Sequence, residues 1–570
     1  MLGVRKYLAF LCLDIGGLHV PQRVNQSIVI GPANSSMNTS QVIIQYLAAA
    51  GIRHIFGYPG DPSVEFLEAA RREGMSFVLG SREGTAGLMA EAYGQLTGRP
   101  GVCLSTLGPG STNLVNAVAN AYLDRVPMLA ISGQIESKRE PYFTHQVVDH
   151  NRLFSPNSKW TIAVQPNTVA TIMRKALRIA TAERPGPVHL TTAADVVGAE
   201  ATDNELRLPP MRATRTPQMF SAGAAEADPV KRLKSARRPV ILAGISAVWS
   251  GASASLVRLA ETIGAPVVVA PMAKGVMPED HPFYAGTLDM ACNKFVWDFL
   301  KGADLLLAVG FDAVELIKPW PLTMPIIHID TVLNTDQIYQ ADTEIVGDIP
   351  GILEAIIAAT GSLERWSAAE VAAHRKKLRE LYYAGRVSAR LNPTDVVDAV
   401  RALMPRDTVV STDVGSHKML VGQGWTTYTP RGLLMTNGLS SMGFSLPAAI
   451  AAKIVHPDKQ VVCFIGDGGL AMVQGELRVA ASLKIDPIVV VFCDNSLNRI
   501  ELKQMARQYP SWGTLIEPTD MTMLARAMGC DGVEVDSIKG LEGVLAGARA
   551  KDRPLVIGAR IDSAQYAAQF

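Results

Sequence analysis

The sequence predicts an α/β protein built from three doubly wound domains, each around a parallel sheet. Its 570 residues exceed what one hydrophobic core normally serves, so several domains are expected. Short apolar runs alternate with helical stretches in three separate blocks, which is the pattern of strands covered on both faces. We place these blocks at residues 37–200, 225–360 and 385–560, after an N-terminal extension over residues 1–36 that we expect to be disordered.

Composition and charge indicate a large soluble enzyme. The chain has 54 Lys+Arg against 53 Asp+Glu, a net charge of +1, so no charge excess favours nucleic acid or an anionic membrane as a partner. No run reaches the ~18 consecutive apolar residues of a membrane helix. The six cysteines are scattered without metal-ligand spacing, which is typical of reduced residues in a cytoplasmic protein.

In the first block, three apolar runs each end in a turn followed by a helical stretch. They are residues 55–56, 77–79 and 102–105. In a parallel sheet such turns meet at the carboxyl edge, where ligands bind. At the second turn, Glu83 precedes Gly84 and a helix of small residues that can pack closely and exclude water. Glu83 is therefore either a functional acid or a helix-start acid favoured by the helix dipole, and the local sequence leaves both open.

The third block carries two apolar strands that both end in acidic turns. Residues 461–465 stop at Gly466-Asp467-Gly468-Gly469, and residues 487–492 stop at Cys493-Asp494-Asn495-Ser496. Residues 470–484 have helical periodicity, so both strand ends fall at one edge of the sheet. An Asp at a strand-to-helix turn is more often a helix cap than a ligand. Two carboxylates beside flexible glycine amides change that balance and favour Mg²⁺ bound together with a diphosphate.

In combination, these motifs resemble the thiamine-diphosphate fingerprint of the acetolactate synthase and pyruvate decarboxylase superfamily. The first block adds Phe56-Gly57-Tyr58-Pro59-Gly60, Arg82-Glu83-Gly84 and Ile131-Ser132-Gly133-Gln134, in the order of that family's pyrimidine-binding domain. The resemblance covers nearly the whole chain from Met37 and is to the large catalytic subunit of acetolactate synthase. It implies a pyrimidine-binding, a central and a diphosphate-binding domain.

The resemblance implies thiamine diphosphate and Mg²⁺ as cofactors. Glu83 then corresponds to the glutamate that hydrogen-bonds N1′ of the aminopyrimidine, and Gln134 is a second catalytic candidate in the substrate cavity. The implied cofactor-binding residues are Glu83, Gly415, Ser416, His417, Ser440, Met442, Gly466, Asp467, Gly468, Gly469, Asp494 and Ser496. The implied metal ligands are Asp467, Asp494 and the carbonyl oxygen of Ser496, with Asn495 as the alternative side-chain ligand.

The central block departs from the flavin-containing acetolactate synthases. Those enzymes carry Arg-Phe-Asp-Asp-Arg where this chain reads Gly310-Phe311-Asp312-Ala313-Val314, so both arginines are missing. The change favours a purely structural central domain over one that binds FAD.

The reaction class is open at this stage. The resemblance implies chemistry on 2-oxo acids through a C2-carbanion/enamine intermediate, with decarboxylation, carboligation or both. Lys503 stands near the place where acetolactate synthases carry an acceptor-pocket Trp. The alternatives are a non-oxidative 2-oxo acid decarboxylase, a hydroxyacyl lyase, a sulfoacetaldehyde-type acetyltransferase, or a non-catalytic paralogue that acts as a binding subunit.

The resemblance also implies an oligomer. In relatives, the pyrimidine domain of one subunit faces the diphosphate domain of the next, so we expect a homodimer or homotetramer with the site at the subunit interface.

Overall fold

A computed structural model describes residues 36–210, 228–547 and 550–569 of the chain. It contains three α/β domains, each with a six-stranded, all-parallel sheet flanked by helices, which confirms the predicted fold class. The predicted extension over residues 1–36 lies outside the described residues except for Ser36. In the described ranges, no helix is both long and apolar enough to cross a membrane.

The N-terminal domain has the strand order β2-β1-β3-β4-β6-β5. Its strands are β1 His54–Gly57, β2 Ser76–Leu79, β3 Gly101–Ser105, β4 Met128–Gln134, β5 Trp160–Ala163 and β6 Pro187–Ala193. Its helices are α1 Thr39–Ala49, α2 Val64–Arg72, α3 Glu83–Thr97, α4 Pro109–Leu123, α5 His150–Phe154, α6 Val169–Thr181 and α7 Ala194–Val197. A capping box between Asn38 and Gln41 fixes the start of α1.

The central domain has the strand order β12-β11-β10-β7-β8-β9. Its strands are β7 Pro239–Ala243, β8 Val267–Val269, β9 Tyr284–Thr287, β10 Leu305–Val309, β11 Ile326–Asp330 and β12 Thr343–Val346. Its helices are α8 Pro229–Ser235, α9 Ile245–Trp249, α10 Ser253–Ile263, α11 Asn293–Lys301 and α12 Ile349–Thr360. The connecting helix α13, Ala368–Tyr382, leads to the third domain.

The C-terminal domain has the strand order β14-β13-β15-β16-β18-β17. Its strands are β13 Val409–Thr412, β14 Leu433–Met435, β15 Val461–Gly466, β16 Ile488–Cys493, β17 Asp531–Val535 and β18 Leu555–Arg560. Its helices are α14 Pro393–Leu403, α15 Ser416–Gly424, α16 Ser445–Val455, α17 Asp467–Val473, α18 Gly475–Ser482, α19 Asn498–Ala506, α20 Met521–Ala527 and α21 Ile538–Ala546.

The C-terminal domain forms two helices where the sequence predicts one. The periodicity over residues 470–484 predicts a single helix, but the chain forms α17 from Asp467 and then α18 from Gly475. At the break, a Cβ on Gly475 would lie 2.9 Å from Ser81 Oγ, so the N-terminal domain approaches the backbone there. Contact between the domains therefore sets a boundary that periodicity does not reveal.

The N- and C-terminal domains of one chain pack through helices rich in small residues. Helix α3 contacts α16, and the apolar residues of both helices share one buried cluster. Because Ala and Gly let two helix backbones approach closely, this packing joins the two domains through one buried apolar cluster.

Candidate active site

Three adjacent strands of the C-terminal sheet end in the turns that the sequence singles out. Strand β13 pairs with β15, and β15 pairs with β16. Gly415 follows β13, Asp467 follows β15 and Asp494 follows β16. All three turns therefore lie at the same carboxyl edge, as predicted for a parallel sheet.

Asp467 links two of these turns. Its carboxylate accepts a hydrogen bond from the Gly468 amide at 2.8 Å and one from the Asn495 amide at 2.7 Å. The side chain thus holds the turn after β16 against the first turn of α17, whose N-cap is Gly466. Burial raises the pKa of Asp467 above its ordinary value, although the amide donors oppose this. Asp467 is therefore not the N-cap of α17, and its role as a metal ligand stays a prediction.

The turn after β16 is strained and acidic. Asn495 has a φ of 57°, in the left-handed region that L-residues rarely adopt. Burial, and then the neighbouring charge of Asp467, raise the pKa of Asp494 to about 7. The Ser496 hydroxyl donates to Glu501, whose charge acts on Asp494 in the same direction. This excess of negative charge is what a bound cation would compensate.

The donor set fits Mg²⁺ only if other oxygens complete it. In the described part of the chain, no group of three or more His, Cys, Asp or Glu side chains forms a metal cluster. Asp467 and Asp494 are two carboxylates, and Mg²⁺ prefers one or two carboxylates with phosphate and water oxygens. Asp467, Asp494 and the Ser496 carbonyl are thus suited to a metal that arrives with a diphosphate.

His417 provides the clearest sign of a missing partner. Its ring is buried, stacks on Phe492 at 5.2 Å, and has an Nε2 atom with no hydrogen-bond partner among the described residues. Burial, followed by the charge of Lys418, lowers the pKa of His417 to about 3, so the ring is neutral. A buried polar atom without a partner is costly, and a phosphate oxygen at this edge would satisfy it.

Glycines line the space around this histidine. A Cβ on Gly415 would lie 2.9 Å from the His417 ring, and one on Gly466 would lie 3.2 Å from it. A Cβ on Gly469 would lie 2.0 Å from the Asp413 carboxylate. The turn residues therefore have to be glycine for the edge to keep this shape, which fits a diphosphate cradle of backbone amides.

The turn that contains Ser440 and Met442 is held by the N-terminal domain. Asn116 donates to the Ser441 hydroxyl at 2.7 Å. Asn120 accepts a hydrogen bond from the Thr436 hydroxyl at 2.8 Å. Ser440 has a φ of 58°, and Met442 is partly buried. Helix α4 thus fixes the backbone that the resemblance assigns to the aminopyrimidine.

Glu83 begins α3 and is buried, with 8% of its surface exposed. Asn113 donates to its carboxylate at 3.2 Å, and a Cβ on Gly110 would lie 3.0 Å from the same carboxylate. In the described ranges, Asn113 provides the only hydrogen bond to this side chain. The second carboxylate oxygen therefore remains available to a ligand.

Sequence reasoning missed Glu476. It lies in α18, is fully buried, and accepts from the Ser81 amide at 3.0 Å and from the Ser81 and Thr85 hydroxyls. Its other carboxylate oxygen has no partner among the described residues. Ser81 and Thr85 flank Glu83, so Glu476 connects the C-terminal domain to the start of α3. A lone Glu inside an apolar helical stretch was the available signal.

Gln134 is separate from this arrangement in the described contacts. It ends β4 and is buried, and its amide donates to the Val148 carbonyl at 3.1 Å. Its side-chain oxygen accepts from the Ile135 amide at 3.0 Å. The side chain therefore holds the loop before α5, and its catalytic role stays a prediction.

The segment after the second acidic turn forms α19 and an exposed loop. Lys503 is exposed on α19. Trp512 has 83% of its surface exposed, and its backbone makes two hydrogen bonds with the Gln504 side chain, at 2.9 and 3.2 Å. A tryptophan is thus present in this region, nine positions after Lys503.

The carboxyl edge of the central sheet is closed by ion pairs. Asp312 follows β10, is fully buried, and accepts a hydrogen bond from Arg125 at 2.8 Å. Arg184 lies 3.1 Å from the same carboxylate and pairs with Asp336 at 2.8 Å. Both arginines belong to the N-terminal domain, so Asp312 joins two domains.

Backbone contacts close the same edge further. A Cβ on Gly244 would lie 2.4 Å from Phe311 Cα, and one on Gly310 would lie 2.2 Å from the Ala247 nitrogen. The Phe311 ring packs 5.9 Å from that of Trp320. The turns at this edge are therefore closely packed, and the absence of flavin, expected from the two missing arginines, stays a prediction.

The fold and the edge of the third sheet together define a class. Three parallel α/β domains, with glycine turns and a neutral histidine at the carboxyl edge of the third sheet, are typical of enzymes that bind a diphosphate cofactor.

Comparison with known families gives the particular cofactor. Residues 37–153 match the family described as "Thiamine pyrophosphate enzyme, N-terminal TPP binding domain". Residues 227–356 match its central domain, and residues 413–559 match its C-terminal TPP binding domain. The chain belongs to the thiamine pyrophosphate enzyme family, and it has the domains that bind this cofactor.

Its relatives include synthases and a decarboxylase. The chain is 31% identical to a probable acetolactate synthase large subunit of Methanocaldococcus jannaschii, over 93% of each chain. It is 28% identical to the acetolactate synthase of Bacillus subtilis, over 92% of this chain and 93% of the relative. It is also 29% identical to a probable 2-ketoarginine decarboxylase of Pseudomonas aeruginosa, over 87% and 89%.

Proposed function

We propose that this protein is a cytoplasmic, Mg²⁺- and thiamine-diphosphate-dependent enzyme of the acetolactate synthase type, acting on 2-oxo acids. The observation that carries the proposal is the unpartnered Nε2 of His417 at an edge that also holds Asp467 and Asp494. The similarity to acetolactate synthases over nearly the full chain supports the substrate class.

When bound, thiamine diphosphate would supply carbanion chemistry at the carbonyl group of a 2-oxo acid. The chain's residues would prepare this chemistry. Asp467, Asp494 and the Ser496 carbonyl would hold Mg²⁺, and His417 with the glycine amides would bind the diphosphate. Ser440 and Met442 would position the aminopyrimidine, because α4 fixes their turn.

Glu83 would control a proton. Its second carboxylate oxygen lies at a helix N-terminus, on a side chain that is 8% exposed. There it would exchange a proton with the N1′ atom of the aminopyrimidine, as a general acid and base. Asn113 would keep the carboxylate oriented while Glu476 holds the backbone before and after it.

A non-oxidative 2-oxo acid decarboxylase is the second candidate. The relationship to a probable 2-ketoarginine decarboxylase favours it, and so does Lys503, an exposed cation near the place of an acceptor-pocket tryptophan. Without a tryptophan at that place, the residues that shape the acceptor pocket of the synthases are incomplete, which weakens the argument for a second 2-oxo acid as acceptor.

Product analysis separates the candidates. Purified protein would be incubated with thiamine diphosphate, Mg²⁺ and a panel containing pyruvate, 2-oxobutyrate and 2-ketoarginine. We expect acetolactate from pyruvate, and a Glu83→Gln variant that keeps cofactor affinity but loses about 100-fold or more in turnover. An aldehyde as sole product would support the decarboxylase, and no turnover of any panel member would contradict both proposals.

We also propose that two subunits share the site, as the family resemblance implies. Contacts between the N- and C-terminal domains exist within one chain as well, for example those of Glu476 with Ser81. The test must therefore distinguish a site between chains from a site within one chain.

Co-expressed subunits make this distinction. One subunit would carry Glu83→Gln and the other Asp467→Asn, each with its own affinity tag. If Glu83 and Asp467 act across the interface, the mixed dimer has one intact site and about half the wild-type activity per dimer. If they act within one chain, both sites are damaged and the mixed dimer has no more activity than either variant alone.

A further inference from the structure

A second cleft lies between the central and C-terminal domains, away from the cofactor edge. Its volume is about 360 Å³, within the range of small-molecule sites. It is lined by α13, by β9 with the segment before it, and by the C-terminal end of α15 with the residues that follow. Helix α15 begins after Gly415, at the turn proposed to bind the diphosphate. Its nine residues place its other end, which lines the cleft, roughly 14 Å from that turn.

The cleft carries uncompensated positive charge. Arg375 and Lys376 line it, and neither has a carboxylate partner within ion-pair distance among the described residues. The Arg375 guanidinium is held by the backbone carbonyls of His281 at 3.1 Å and Glu279 at 2.9 Å. Because both partners are neutral carbonyls, they orient the guanidinium without compensating its positive charge.

The one acid in the lining does not neutralise these cations. The Glu279 carboxylate forms a buried ion pair with Lys274 at 2.6 Å and accepts from the Thr427 amide at 3.0 Å. Arg379, the third cation in the lining, pairs with Asp398 at 2.8 Å. The charges left over are those of Arg375 and Lys376, so the cleft favours an anion.

A buried hydroxyl in the same lining lacks a partner. Tyr382 is 1% exposed, and its Oη atom has no hydrogen-bond partner among the described residues. The hydroxyl lies against Gly424, where a Cβ would approach it to 2.0 Å. The ring of Tyr284 and the side chain of Leu378 supply apolar lining. A polar atom is thus available beside apolar surface, which is the composition of a ligand site.

We propose that this cleft binds a small organic anion. Its carboxylate or phosphate head would contact Arg375 and Lys376, its apolar body would pack against Tyr284 and Leu378, and an acceptor atom would take the Tyr382 hydroxyl proton in a hydrogen bond. The site is independent of the chemistry proposed at Asp467 and Glu83.

The test measures binding of two aromatic anions by calorimetry. Phenyl phosphate and phenylacetate share a ring and differ in the head group, and benzyl alcohol is the uncharged control. The protein would be saturated with thiamine diphosphate and Mg²⁺, so that the diphosphate turn is occupied. We expect at least one anion to bind, and benzyl alcohol to bind at least about 10-fold more weakly. The anion that binds with the higher affinity shows whether the cleft prefers a phosphate or a carboxylate head group.

Three variants locate the binding. Lys376→Ala and Tyr382→Phe should each weaken it about 5- to 10-fold, the loss of one charge contact or hydrogen bond. Lys377→Ala is the matched control, because this neighbouring lysine pairs with Glu380 outside the cleft and should leave affinity unchanged. Tyr382→Phe should not lower the melting temperature, since its hydroxyl has no partner to lose.

Two results would overturn the proposal. If the dissociation constants of both anions for the wild type exceed about 1 mM, the cleft does not bind the proposed class of ligand. Binding that is equal in wild type, Lys376→Ala and Tyr382→Phe would place the anion elsewhere on the protein.

Discussion

The central and C-terminal sheets have the same architecture, but their carboxyl edges differ. At the C-terminal edge, glycine turns leave space, two carboxylates lie close together, and His417 Nε2 has no hydrogen-bond partner within the described ranges. At the central edge, Asp312 is already paired with Arg125 and Arg184. A parallel sheet supplies the position of a ligand site, and the residues in its turns decide whether that position is open or is used to join domains.

The largest expected effect comes from exchanging one carboxylate for an amide at each edge. Asp467→Asn should weaken Mg²⁺-dependent binding of thiamine diphosphate more than about 100-fold, because a metal ligand loses its charge. Asp312→Asn should change this affinity less than about 3-fold, since the carboxylate of Asp312 contacts Arg125, Arg184 and the Val314 amide, all away from the C-terminal edge. Calorimetry with and without Mg²⁺ measures both. Similar losses in the two variants would show that the edges are not functionally distinct.

The second effect should be a loss in free energy of unfolding when the ion pairs at the central edge are broken. Asp312→Ala leaves Arg125 and Arg184 without their shared partner, and breaking a buried pair costs about 3–5 kcal/mol. Asp336→Ala removes only the more exposed partner of Arg184 and should cost less than about 1 kcal/mol.

Denaturant unfolding, followed with probes in each domain, would compare these two variants with wild type. The loss should be greatest where the N-terminal and central domains meet, and cofactor affinity of the folded protein should stay unchanged. Equal stability of Asp312→Ala and Asp336→Ala would contradict the structural role of this edge.

Much of this contrast could be predicted from the sequence. Apolar runs that end in glycine turns predicted the parallel sheets and placed Asp467 and Asp494 at one edge. The missing arginines around Phe311 predicted a central domain without flavin, which stays a prediction that absorbance in the flavin bands would test. Glu476 was not predicted, because its role depends on Ser81 and Thr85, nearly 400 positions earlier in the chain. The pairing of Asp312 with Arg125 and Arg184 was missed for the same reason.

The smallest effect is a pH dependence of stability at the central edge. Burial raises the pKa of Asp330, at the end of β11, from an ordinary value of 3.8 to about 6, while Arg184 opposes the shift and Asp312 adds to it. The folded state therefore binds this proton more tightly than the unfolded state, so the stabilisation is complete below pH 4 and is lost as pH rises through 6. Asp330→Asn removes this titration. Relative to wild type, the variant should gain about 2 kcal/mol in free energy of unfolding between pH 4 and pH 7. Parallel denaturant titrations of the two proteins across this range measure the difference. A difference that stays constant with pH would show that Asp330 is not held protonated by burial.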